Sequence, residues 1–197
     1  MAEARNPWLA LVGRTLVDPR GAAESLLALR FNRGILWSLL VLVSILSVLV
    51  FKASLAVLPA QVSPQLAQSS PFALTIVLGA GLTMMVFAFY LTGQMLGGKG
   101  RFPGALLLMI WWQVMAMAIQ IVQTLGLVLM PLIGGLISIL GLGYLLYCLA
   151  VFVDAMHGFG NLFKALMTIV IASFGLLLGM SVILTLIGVT AAQGGLS

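Results

Sequence analysis

Four polar residues within a long apolar run could do chemistry inside a membrane: Gln113, Gln120, Gln123 and Thr124. On a helix with about 100° between successive residues, Gln113, Gln120 and Thr124 fall within about 40° of one another. Gln123 lies about 60° further round the same helix. Polar groups are costly in a bilayer, so this stripe predicts either the lining of a transport cavity or hydrogen bonds to neighbouring helices.

Asp154 and His157 are three residues apart and would share one face if a helix continued through them. Such a pair could bind a metal ion or relay protons. A metal site needs three or four ligands, however, and the chain has no other histidine. The remaining acids, Glu3, Asp18 and Glu24, all precede the first apolar run. We therefore interpret the pair as a cytoplasmic turn or helix cap and predict no metal and no cofactor.

Catalytic patterns are missing from the sequence. No serine lies in a nucleophile elbow, and no second carboxylate pairs with Asp154. The stretch GGKG at residues 97–100 lacks the glycine spacing and the serine or threonine of a phosphate loop. The first 34 residues are also too short and too poor in aromatic residues for a nucleic-acid module. We predict that the protein is not an enzyme and does not bind nucleic acid.

The elements that would position these residues are transmembrane helices. The chain of 197 residues is 62% hydrophobic and 7% charged, whereas a soluble domain has about 25% charged residues. Apolar runs of about 20 residues, enough to cross a bilayer, occur about five times. The predicted fold is an all-α integral membrane protein, a bundle of about five transmembrane helices. The runs are Ile35–Leu58, Phe72–Leu96, about Gly104–Met130, about Leu132–Val153 and a last run after residues 154–161 that ends near Thr190.

The third and fourth runs meet at Pro131, where one kinked helix is an alternative to a hairpin. One helix of about 50 residues would be about 75 Å long, which exceeds a bilayer, so we predict a hairpin. The predicted domains are a short amphipathic cytoplasmic segment at 1–34, a five-span domain at 35–190 and a non-cytoplasmic tail at 191–197.

Basic residues predict the orientation, because lysine and arginine are retained on the cytoplasmic side. Five of the nine basic residues precede the first run. The loops after the second and fourth runs contain Lys99, Arg101 and Lys164, and Lys52 is the exception near the end of the first run. The N-terminus is predicted in the cytoplasm and the C-terminus outside. Apolar residues at helical spacing in the first 34 residues predict one or two short helices in the headgroup plane.

Two glycine pairs have the GxxxG spacing that allows helices to pack closely. They are Gly93 with Gly97 and Gly175 with Gly179. The partner helix could belong to the same chain or to a second copy, so a homo-oligomer is one prediction.

Three short segments, DPRGAAESLLAL at 18–29, GGKGRF at 97–102 and FVDAMHGFGN at 152–161, together with the five-span layout, resemble the Yip1 family. The resemblance covers nearly the whole chain and is to small bacterial members, which implies residence in the bacterial inner membrane. It implies a scaffold with a cytoplasmic N-terminus, which in eukaryotes helps to organise membrane traffic and engages prenylated small GTPases. No binding residue carries over.

Two hypotheses for the function follow. The first is a non-enzymatic membrane-organising protein, adaptor or scaffold, with the lipid bilayer and a membrane-protein partner or a second copy as its partners. The alternative is a transporter or channel subunit that uses the polar stripe on the third run.

Overall fold

The computed structural model describes residues 7–29, 31–58 and 68–194. Within these ranges the chain forms helices and no strands. The seven helices are α1 (Pro7–Val17), α2 (Pro19–Ala28), α3 (Arg33–Val57), α4 (Pro71–Met95), α5 (Phe102–Leu129), α6 (Pro131–His157) and α7 (Leu162–Gly194).

The helices begin where the sequence supplies suitable residues. Helices α2, α4, α5 and α6 have proline in the first two positions, where the missing N–H costs nothing. At α2 and α3 the capping side chains are Asp18, which accepts from the N–H of Gly21 at 2.9 Å, and Asn32, which accepts from the N–H of Gly34 at 3.3 Å. The positions at which these helices begin therefore follow from the local sequence.

Five of these helices, α3 to α7, are long and apolar enough to cross a membrane. The prediction of a helical membrane bundle is confirmed, and so is the hairpin between the third and fourth runs. Met130 separates α5 from α6, and the two helices pack against each other. A Cβ added at Gly126 would lie 3.1 Å from the Cα of Gly134, so two glycines allow the helices to approach closely near the turn.

Two predicted boundaries differ from the structure. The fourth run continues to His157 instead of ending at Val153, because Asp154 and His157 are buried in the last turn of α6 and Gly158 ends the helix with φ 65°. The last helix runs to Gly194, into the predicted tail at 191–197, and residues 195–197 lie outside the described residues.

Part of the loop between the first and second spans, residues 59–67, also lies outside the described residues. Lys52, the exception to the charge pattern, donates a hydrogen bond of 2.7 Å to the carbonyl of Ser69 at the far end of this loop.

One end of the bundle carries most of the described positive charge, and we call it the basic end. There α3, α5 and α7 begin and α4 and α6 end. Among the described residues, the five long helices and their turns contribute Arg33, Lys99, Arg101 and Lys164 to this end.

The tightly packed core lies in the half of the bundle next to the basic end. Helices α5 and α6 each contain seven consecutive buried residues there, 105–111 and 148–154. A helix buried on every side must be surrounded by other helices. Helix α5 packs against α2, α3, α4 and α6, and α2 also packs against α6. The two N-terminal helices therefore complete the core, and the opposite half of the bundle leaves more of its apolar side chains uncovered.

Candidate functional site

The basic end contains an ion pair between the N-terminal segment and a buried acid in the last turn of α6. Arg20 on α2 places one guanidinium nitrogen 2.9 Å from Oδ2 of Asp154. The Asp154 side chain is 2% exposed and its Oδ1 accepts from the backbone N–H of Asn161 at 2.9 Å. A buried carboxylate must be paired and hydrogen-bonded, and these two contacts supply both requirements.

His157, one helical turn further along α6, is enclosed by α4. Its Nδ1 lies 3.1 Å from the carbonyl oxygen of Val153, and its Nε2 lies 3.4 Å from that of Tyr90. Whichever nitrogen carries the proton therefore has an acceptor within reach. The ring stacks on Phe159 at 5.1 Å, and a Cβ added at Gly93 would overlap the imidazole. Glycine at this position of α4 makes the room that the histidine occupies.

The turn between α4 and α5 is fixed on the end of α6. The backbone N–H of Lys99 donates to the carbonyl of His157 at 2.9 Å. Gln94 donates a side-chain hydrogen bond of 2.7 Å to the carbonyl of Gly100. A Cβ at Gly100 would meet the backbone of Met156, so the turn can approach α6 this closely only with glycine there. Of the GGKG glycines, Gly98 and Gly100 therefore serve close packing against α6 in this structure.

A second attachment holds α1 against the side of the bundle. Thr15 is buried and accepts from the indole N–H of Trp111 at 3.0 Å. The hydroxyl of Tyr144 donates to the carbonyl of Thr15 at 2.6 Å. Trp111 lies nine residues into α5 and Tyr144 thirteen residues before the end of α6. At 1.5 Å per residue these distances are about 14 and 20 Å, so the end of α1 lies beside the bundle and not beyond it.

The contacts of Asp154 and His157 hold helices together, and they give both side chains a partner within the protein. Asp154 is bound to α2 and to the start of α7, and His157 to α4 and its own helix. Among the described residues no group of three or more histidine, cysteine, aspartate or glutamate side chains lies close enough to hold a metal ion. One turn of α6 thus joins α2, α4 and α7.

The predicted polar stripe on α5 lies elsewhere, towards the opposite end. The amide of Gln113 donates a hydrogen bond of 3.1 Å to the hydroxyl of Ser47, and the hydroxyl of Thr124 lies 3.0 Å from that of Ser54. Gln113 and Thr124 therefore reach the neighbouring helix α3, and a role of the stripe in transport stays a prediction. The side chains of the two remaining members are half-buried: Gln120 and Gln123.

The four glycines of the GxxxG pairs have different surroundings. Gly93 contacts the imidazole of α6, whereas Gly97 follows α4 with φ 83° in the left-handed region and has open space around it. A Cβ at Gly175 or Gly179 would also meet nothing within 4 Å. The close packing predicted for this second pair would need a second chain, and it stays a prediction.

Arg20, Thr15 and Trp111 are the site residues that the sequence analysis missed. A buried acid at the end of a span requires a basic partner, but nine basic residues were candidates and Arg20 is 134 positions from Asp154. The segment DPRGAAESLLAL contains Arg20 and contributed to the family resemblance, but it did not identify Asp154 as the partner of Arg20.

These contacts and five apolar helices define a multi-pass helical membrane protein with its N-terminal helices packed on the bundle. A model of the Yip1 domain matches residues 13–191, nearly the whole chain. The chain therefore belongs to the Yip1 family, which confirms the resemblance found in the sequence. Searches of curated proteins and of solved structures gave no match.

Proposed function

We propose that this Yip1-family chain is a non-enzymatic membrane-organising scaffold. In this proposal the basic end faces the cytoplasm, and α1 and α2 occupy the cytoplasmic leaflet beside the bundle. They widen the protein in that leaflet only, which favours curvature of the membrane. The observation that carries the proposal is the docking of α1 on the side of the bundle through Thr15.

The outward surface of α1 supports a position in lipid. Leu16 is 53% exposed and Val17 is 88% exposed, directly beside the buried Thr15. Apolar side chains at this depth along α5 and α6 are suited to the boundary between headgroups and acyl chains. The positive charge of the basic end supports the cytoplasmic orientation, because basic residues are retained on that side.

The contacts of the titratable residues support a structural role over catalysis. The buried carboxylate of Asp154 pairs with the guanidinium of Arg20 and accepts a hydrogen bond from the backbone N–H of Asn161. Both ring nitrogens of His157 face carbonyl oxygens. A catalytic acid or base needs access to a reacting group. A membrane-protein partner and a homo-oligomer through Gly175 and Gly179 remain part of the proposal.

The test is the size of proteoliposomes into which the full chain is reconstituted with its basic end outward. Electron cryomicroscopy measures the mean vesicle diameter as the protein-to-lipid ratio rises. The wild type should reduce the diameter, and the variant Leu16→Ser/Val17→Ser should reduce it less, because α1 then inserts less apolar surface. Both replaced side chains are exposed, so the fold should persist.

A matched control removes two exposed leucines at the opposite end of the bundle, with Leu129→Ser/Leu132→Ser. This variant should reduce the diameter as the wild type does. Equal vesicle diameters with the wild type and the α1 variant at every ratio would contradict the scaffold proposal.

A further inference from the structure

A cavity of about 910 Å³ opens at the basic end, between the α2–α3 connection and the α4–α5 turn. Its volume is within the range of about 300–1,000 Å³ that small-molecule sites occupy. Side chains from α2, α3, α4, α5 and α6 contribute to its walls, so it is a feature of the assembled bundle.

Among the described residues that line this cavity, three are cations: Arg33 at the start of α3, and Lys99 and Arg101 in the turn before α5. All three residues are exposed. In the described part of the chain, no carboxylate lies within 4.0 Å of these side chains, because both ion pairs found there use Arg20. The cavity therefore has positive charge that no acidic side chain of the described residues neutralises, and it is complementary to an anion.

The backbone adds to this preference. Helix α5 begins at the cavity with Arg101 as its N-cap residue and has no side-chain capping hydrogen bond. The N-terminus of a helix carries a partial positive charge that favours anions. The hydrogen bond from the Lys99 N–H to the carbonyl of His157 fixes the backbone of this turn against α6.

The remaining walls are apolar and point to a lipid. Leu36 and Leu107 line the cavity on the side of the bundle, together with Tyr90 and Phe102. The Phe102 ring lies 5.7 Å from that of Tyr90 and 6.4 Å from that of Trp37, which forms an aromatic group at this level. Tryptophan and tyrosine are enriched where the membrane meets water. An ionic headgroup and the start of an acyl chain would match the two kinds of wall.

We propose that this cavity binds the headgroup of an anionic glycerophospholipid, with its phosphate beside Arg33, Lys99 and Arg101. The acyl chains extend along α3 and α5 from Leu36 and Leu107. This site does not depend on the shape that the protein gives to a membrane, and it can be tested in detergent.

The experiment is native mass spectrometry of the full chain in detergent, titrated with phosphatidylglycerol or with phosphatidylcholine. The wild type should retain phosphatidylglycerol in preference. Lys99→Gln should weaken its binding about five-fold and Arg33→Gln/Arg101→Gln about 30-fold, as expected for basic residues beside an anionic lipid surface. The structural hydrogen bond of Lys99 comes from its backbone N–H, which Lys99→Gln retains.

Lys164→Gln is the matched control, since Lys164 is an exposed lysine at the same end that does not line the cavity. It should bind phosphatidylglycerol like the wild type. Equal retention of the two lipids by the wild type, or equal effects of Lys99→Gln and Lys164→Gln, would overturn the proposal. So would displacement of phosphatidylglycerol by an equimolar amount of inorganic phosphate, because the site would then recognise the free anion and not the lipid.

Discussion

Replacement of Arg20 by glutamine removes the guanidinium that faces the buried Asp154 carboxylate. Breaking a fully buried ion pair costs about 3–5 kcal/mol, whereas an exposed pair contributes about 0.2–1 kcal/mol. Here the Asp154 side chain is 2% exposed and that of Arg20 is 54% exposed. Solvent screening of the arginine places the expected coupling between the two limits, at about 2 kcal/mol.

A double-mutant cycle isolates this coupling from the other effects of each replacement. The variants are Arg20→Gln, Asp154→Asn and the double variant, each unfolded with dodecyl sulfate in mixed micelles and followed by circular dichroism. The control cycle pairs Arg20→Gln with Glu24→Gln. Glu24 is 67% exposed and 3.6 Å from the same arginine, so its coupling should not exceed about 0.5 kcal/mol.

The two cycles share one residue and differ in the burial of the acid. A coupling to Asp154 that is no larger than the coupling to Glu24 would refute the reasoning. It would mean that α2 is held on the bundle by apolar contacts alone, and that Asp154 is sufficiently stabilised by the N–H of Asn161.

Two further predictions use neighbouring glycines as controls. Gly93→Ala should lower the free energy of unfolding by about 1–3 kcal/mol, because its Cβ would overlap the buried imidazole, whereas Gly81→Ala on the same helix meets nothing and should be neutral or slightly stabilising. Gly134→Ala should also lower the free energy of unfolding by about 1–3 kcal/mol, because its Cβ would meet the facing backbone of the α5–α6 hairpin. Gly135→Ala meets nothing and should not lower it. Unfolding in mixed micelles measures both pairs, and equal effects within a pair would contradict the packing described.

The spans were predictable because a long apolar run has few alternatives to crossing a bilayer. The packed faces were not predictable from the same residues. Leu106 and Leu125 are both leucines of α5, yet Leu106 is 2% exposed and Leu125 is 57% exposed. In a soluble protein, apolar residues on one face and polar residues on the other distinguish the buried face of a helix from the exposed face. A membrane helix is apolar both towards lipid and towards protein, so this distinction is lost. The position of the core in the basic half of the bundle therefore came only from the structure.

Two residues of the candidate site could be found from the sequence, but their surroundings could not. Asp154 and His157 stood out as ionisable residues directly after an apolar run, because such residues are rare in or beside a span. The sequence predicted a cytoplasmic turn or helix cap for both residues, and the structure places both, buried, in the last turn of α6. Their burial depends on α2 and α4, and no local pattern reports the approach of helices so distant in the chain.

Asp154 and His157 connect the N-terminal helices to the lipid cavity that we propose. Asp154 holds α2, which leads into the α2–α3 wall of the cavity, and the carbonyl of His157 holds the α4–α5 turn, which forms the facing wall. Both attachments start from the same turn of α6, so the width of the cavity depends on how α2 and the turn are seated on that helix. A protein that used α1 and α2 only as a surface anchor would not need a buried carboxylate there, because apolar contacts suffice to hold a helix in lipid. The ion pair is directional, so it fixes the position of α2 against α6 beside the cavity that we propose for the lipid.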